Sequence, residues 1–154
     1  TDLEEYVGTD GTLKTVDELL LGAVEYLTTQ DAMATASHIE NVQEGVNLEE
    51  TSDAFKALYQ TLIDKIGPEV ALNYYNTGSD FYDKKDYKQA IDNLTKAVEY
   101  DPTNGDAMNV LANAYRFDGQ NENAIACYRK VIELLPGTGR ATRAQGYIDD
   151  LSAE

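Results

Sequence analysis

The sequence predicts an all-α fold of antiparallel helical hairpins stacked on one another, about eight helices in all, in a chain of 154 residues. Three observations carry that prediction. The stretch from Ala71 to Thr138 is written twice at an offset of 34 residues: Gly78 falls on Ala112, Phe81 on Tyr115, Ala90 on Ala124, Leu94 on Tyr128, Ala97 on Val131 and Pro102 on Pro136. Apolar residues inside and outside that stretch recur at helical spacing. The connections between these periods are short, which makes neighbouring helices antiparallel. A fixed period of this size marks stacked supersecondary units, each burying its apolar face on the next.

The elements follow in order. Residues 1–14 hold the turn-rich Gly8-Thr9-Asp10-Gly11-Thr12 and read as a lead-in. Thr15-Val16-Asp17-Glu18 fits a capping box, and Leu19, Leu20, Ala23, Val24 and Leu27 continue it as a first helix to about Thr28. Asp31 to Glu44 predicts a second helix with Ala32, Ala36, Ile39 and Val42 available for packing. A third begins between Leu48 and Ser52 and uses Phe55, Leu58, Tyr59, Leu62 and Ile66. Gly67-Pro68 follows, and the spacing favours a break there over a kinked continuous helix, since proline suits a first helical position and is costly inside. The first copy, 71–104, then gives one helix to about Asp83 and another capped by Asp86 with Gln89. The second copy, 105–138, gives helices at about Gly105–Phe117 and Asn121–Leu135. Residues 139–154 predict a closing helix with polar Gln145 and Asp149 where the copies are apolar, as the end of a stack requires.

Composition narrows the function. Residues 1–70 hold 3 Lys/Arg against 15 Asp/Glu, whereas all four arginines (Arg116, Arg129, Arg140, Arg143) lie in the last 40 residues. A net charge of −16 repels phosphate backbones and anionic lipid, which argues against nucleic acid as a partner and otherwise serves solubility. No apolar run is long enough to insert into a membrane. The single Cys127 excludes an internal disulfide. The chain opens Thr1-Asp2-Leu3 without an initiator Met or signal-like segment, the expectation for a mature product or an excised piece of a longer protein.

The doubled stretch resembles the tetratricopeptide repeat. The first copy supplies Tyr74, Gly78, Phe81, Ala90, Ala97 and Pro102 at the family's marked positions, departing with Thr77 and Leu94. The second supplies Leu111, Ala112, Tyr115, Ala124, Tyr128 and Pro136, departing with Val131. Residues 15–70 match poorly, although Ala23, Tyr26, Ala34 and Ala36 are compatible with a degenerate repeat. The resemblance implies a right-handed superhelix, no catalysis, no cofactor or metal, and a protein or peptide partner held in a concave groove lined by the first helix of each hairpin. Carried onto this sequence, the groove positions are Tyr75, Ser79 and Tyr82, then Asn109, Asn113 and Arg116, then Arg140, Arg143 and Tyr147. Asn amides and guanidinium groups suit a peptide backbone and a carboxylate. The likeness to the family's carboxylate clamp is partial, because the first copy lacks a Lys/Asn pair and Ala144 stands where a cation is wanted. The arginines are equally compatible with neutralising an acidic shell. The close Leu135-Pro136-Gly137-Thr138-Gly139-Arg140-Ala141, with Ala144-Gln145, is similar to that of bacterial envelope repeat proteins. That likeness implies an extracytoplasmic domain behind a membrane anchor.

Catalysis has little to stand on. His38 is the one histidine and reads as a helix-surface residue, so a hydroxyl or thiol nucleophile lacks an evident base. Cys127 falls inside a helix of the second copy and reads as a packed thiol. The Asp10 and Asp101–Asp106 loops lack the alternating ligands of a calcium site, and Asn93-Leu94-Thr95 lies mid-helix. The function expected is therefore a protein-interaction module, with a self-associating structural protein as the alternative.

Overall fold

The structure is a computed structural model that describes residues 20, 22–23, 25–26, 29–45, 47 and 51–153, and no strand occurs among them. The chain divides into two compact units, Thr1–Val70 and Ala71–Glu154. The lead-in and the Thr15–Glu18 capping box lie outside the described residues.

In the first unit, residues 20, 22, 23, 25, 26 and 29 are helical, and α1 spans Ala32–Gly45. The chain reverses through Gln30, whose φ is +57°. Asp31 caps α1, its Oδ1 accepting from the Met33 and Ala34 N–H groups at 3.0 Å each. Ala32, Ala36, Ile39 and Val42 are buried, as their spacing predicts. The two helices of this hairpin approach closely at Gly22, where a Cβ would stand 3.1 Å from that of His38. His38 departs from the surface position expected of it. It is half-buried, with Nε2 3.1 Å from Glu25 Oε2 on the facing helix.

The break expected at Gly67-Pro68 is absent. α2 runs Asp53–Asp83 with Pro68 inside it, so two expected helices are one. A proline within a helix costs about 3 kcal/mol through its missing N–H and its ring. Tyr59, Leu62, Ile66 and Val70 form one buried stripe on α2 that continues past Pro68. Burying an aliphatic side chain contributes about 1.5–3 kcal/mol, so keeping this stripe in helical register outweighs the proline.

In the second unit the end of α2 is followed by α3 (Tyr87–Tyr100), α4 (Gly105–Phe117), α5 (Asn121–Leu134) and α6 (Gly139–Ser152). Consecutive helices pack, α3 on α4, α4 on α5 and α5 on α6. One core gathers Ala90, Ile91 and Leu94 of α3 with Leu111 and Ala114 of α4. The next gathers Ala112, Ala124, Tyr128 and Val131 with Ala144 and Ile148 of α6. On α6 the other face is polar: Gln145 and Asp149 are exposed and share a 2.8 Å hydrogen bond.

The repeat is reproduced atom by atom at its turns. Asp86 N–H donates to Phe81 O and Lys85 N–H to Tyr82 O; one period later Gln120 N–H donates to Tyr115 O and Gly119 N–H to Arg116 O. Asn104 caps α4 by accepting from Ala107 N–H, and Thr138 caps α6 by accepting from Ala141 N–H. The left-handed turn residue is Gly119 in the second copy, at φ +77°, and Lys85 in the first, at φ +63°. A side chain in that region costs about 1 kcal/mol, which glycine avoids. Lys85→Gly is therefore expected to raise stability by roughly 0.5–1 kcal/mol, read as a higher midpoint in urea with an unchanged slope.

Candidate interaction site

The final turn of α2, the exposed side of α4 and the middle of α6 carry most of the groove residues expected from the sequence, and the structure joins several of them around Tyr128. That tyrosine projects from α5 and is fully buried. Its hydroxyl donates to Asn113 Oδ1 at 2.7 Å and accepts from Arg116 Nε–H at 3.2 Å. Its ring packs against Tyr147 of α6, with centroids 5.2 Å apart. Arg116 lies over two rings at once, its Cζ 4.3 Å from the centroids of both Phe117 and Tyr147. Cation–π contacts of this kind hold a guanidinium in place while leaving its hydrogen-bonding edge available.

An aromatic group continues from Phe117. Tyr87, at the start of α3, stacks on it at 5.4 Å, and Tyr82, in the last turn of α2, tilts against both rings at 5.9 and 6.1 Å. Phe117 is nevertheless 48% exposed, one of few large apolar side chains so placed among the described residues. Burial pushes the Tyr82 phenol above its ordinary pKa, while the Arg116 charge pulls it back. Burial also pushes the Tyr128 phenol up to about 12, the bond from Arg116 opposing. Both hydroxyls are neutral donors and acceptors at physiological pH.

The other expected positions are placed differently. Tyr75 packs against the core of α3 and α4. Ser79 Oγ is buried without a hydrogen-bond partner among the described residues. Ser79 and Leu94 stand one period before Asn113 and Tyr128, so the first copy lacks the tyrosine hydroxyl that engages Asn113 in the second. Asn109 is half-buried. Arg140 reaches back to α4, its Nη1 2.8 Å from Asp106 Oδ1, with both side chains about half exposed. Exposed pairs contribute little, at most about 1 kcal/mol. Arg143 is exposed and has no ion-pair or hydrogen-bond partner among the described residues. Sequence reasoning missed Phe117 and Tyr87. The signal available was an aromatic at the last position of one helix and at the first position of another, where the repeat pattern does not demand a core residue.

Among the described residues no group of three or more His, Cys, Asp or Glu could hold a metal ion, and no described helix is long and apolar enough to cross a membrane. Cys127 lies against both cores, and burial raises its thiol to about 11. At neutral pH its alkylation by iodoacetamide is expected to run on the order of 100-fold slower than that of a free cysteine, a lag abolished in denaturant.

Helices that pack consecutively as repeated hairpins define a helical-repeat protein, a class that typically mediates protein–protein contacts without catalysis. The particular repeat follows from comparison: residues 81–149 match the family model for the tetratricopeptide repeat and belong to that repeat family. Among solved structures the chain is similar to the C-terminal TPR-containing domain of an FK506-binding protein from Plasmodium falciparum, with a TM-score of 0.50 at 21% identity over 96% of this chain and 93% of that one. At that identity the likeness speaks to the fold. No curated protein matches the chain in sequence.

Proposed function

We propose that the chain is a non-enzymatic module that captures a segment of a partner protein along the face formed by α4, α6 and the end of α2. The observation that carries this reading is the half-exposed Phe117, held in a ring cluster beside a guanidinium. Large aromatics and arginines at the centre of a patch are the residues that anchor protein contacts. Arg143 adds an unpaired cation one helical turn from Tyr147, on the same side of α6. Selection of a displayed random-peptide library on the protein tests the reading. Selected peptides are expected to bind the double variant Phe117→Ala, Arg143→Ala at least about tenfold more weakly, the loss of roughly 1.4 kcal/mol. Undiminished binding overturns it.

The closing segment from Leu135 to Gln145, similar to that of bacterial envelope repeat proteins, supports a role in envelope assembly outside the cytoplasm. Cleavage of the domain by protease added to intact spheroplasts checks this placement, and full protection rules it out.

A further inference from the structure

The chain's one Asn-Gly pair, Asn104-Gly105, stands at the start of α4, and each half is there for a structural reason. Asn104 is the cap. Its Oδ1 accepts from the Ala107 N–H at 2.9 Å, and its main-chain oxygen from the Met108 N–H at 3.0 Å. Gly105 is buried where α4 meets the end of α5. A Cβ there would stand 2.6 Å from Leu135 Cγ and 2.9 Å from Leu135 Cδ1. Packing therefore requires a glycine directly after the capping amide.

That pair is also a reactive one. The amide nitrogen of a glycine, unshielded by a side chain, can attack the carboxamide of the asparagine before it. As the first residue of α4, Gly105 has no helical acceptor for its N–H, so no helical bond is lost as that proton leaves to water. The bond from Gly105 N to Asn104 Cγ forms, the Cγ–Nδ2 bond breaks, and ammonia departs. Water then opens the resulting five-membered imide at one carbonyl or the other, giving aspartate or isoaspartate. Nothing is oxidised or reduced.

Closing that ring requires Gly105 N to eclipse the Cβ of Asn104 about the Cα–C bond. At the observed ψ of +89° the nitrogen lies nearly opposite Cβ. All of α4 hangs from the far end of that bond, so it cannot turn unless the first turn comes apart. The Ala107 bond holds the carboxamide over the helix end as well. We propose that Asn104 is a self-modification site, which deamidates through Gly105 only when the first turn of α4 opens and so keeps an irreversible mark of the opening. Isoaspartate inserts an extra carbon into the main chain between the cap and Gly105. A chain so marked cannot restore both the cap and the Leu135 contact. The inference stands apart from the interaction reading above.

The test incubates the full chain in mildly alkaline buffer, with and without urea above its unfolding midpoint, beside a blocked Thr-Asn-Gly-Asp peptide. Peptide mapping reads the amide-to-acid mass change at Asn104, and an isoaspartyl methyltransferase reads the isomerised product. In urea Asn104 is expected to convert at the rate of the peptide. In native buffer it is expected to convert at least about tenfold more slowly, because opening limits the reaction. Asn104→Ser keeps a capping oxygen without a carboxamide and is expected to gain no mass at this position. The isoaspartate fraction, returned to native buffer, is expected to unfold at lower urea than unconverted chain handled in parallel, or not to refold. Equal rates in the folded and unfolded chain overturn the gating by α4. An Asn104 that stays intact in urea while the peptide converts overturns the site. An unchanged midpoint in the isoaspartate fraction overturns the lasting mark on α4.

Discussion

Replacing Gly78 with alanine is expected to lower the unfolding free energy by about 2–3 kcal/mol, the usual cost of forcing a methyl group into a packed core. Gly78 is the point at which α2 and α3 touch. A Cβ there would lie 2.6 Å from Leu94 Cγ and 3.1 Å from the Leu94 backbone nitrogen. Leu94 is fully buried among α3 and α4 core residues, so it has no free rotamer into which to withdraw. The gain in helix propensity from glycine to alanine, up to about 1 kcal/mol, is already outweighed. A double-mutant cycle separates crowding from any other cause. Leu94→Ala alone is expected to cost about 2–5 kcal/mol through the cavity it leaves. Combined with Gly78→Ala it should cost less than the sum by roughly 1–2 kcal/mol, because the new methyl then occupies vacated space. Strict additivity would mean that the close approach is not what requires glycine. The measurement is urea unfolding followed by circular dichroism.

The same pair shows what could be read from the sequence. Gly78 and Ala112 share a position in the period, and their smallness marks the site of close approach before any coordinates are seen. The turn bonds, the Asn104 and Thr138 caps, and the bounds of α4 follow from that same local register. What escaped depends on energies that local spacing does not contain. Pro68 argues for a break, and only the buried run of Tyr59, Leu62, Ile66 and Val70 overrides it. His38 has a polar side chain on an amphipathic pattern, and its half-burial depends on where Glu25 falls across the hairpin. At the candidate site the spacing brought Asn113 and Arg116 to one face of α4 and Tyr147 to α6. It could not tell that Arg140 turns to Asp106, since the partner lies on another helix. Nor could it tell that an aromatic written as core filling would give its hydroxyl to the groove residues. The family pattern asks for the ring of Tyr128 and is silent about the oxygen.

Tyr128→Leu installs in the second copy the residue that the first copy carries at the same place, and is expected to cost about 3–4 kcal/mol, near the low end of losing a buried aromatic. Tyr128 is fully buried in the core that holds Ala112, Val131 and Ile148, and a leucine there fills less of that core than the ring and its hydroxyl do. The substitution also removes the Tyr147 contact and leaves Asn113 and Arg116 without their shared partner. Tyr128→Phe keeps the ring and deletes only the hydroxyl, for an expected cost of about 1–2 kcal/mol, because Arg116 is half-exposed and water can take the released N–H. The ordering leucine worse than phenylalanine is the checkable content, and equal losses would assign the whole effect to the hydroxyl. Alkaline unfolding provides an independent reading of that hydroxyl. The folded pKa of about 12 lies above the ordinary 10, so folding favours the protonated phenol. That contribution is complete below pH 10 and is lost as pH rises toward 12. Cys127, raised from 9 to about 11 by burial, adds a loss that begins lower. Tyr128→Phe is therefore expected to flatten the upper part of the alkaline transition while leaving the part that begins near pH 9, and Cys127→Ala to do the reverse.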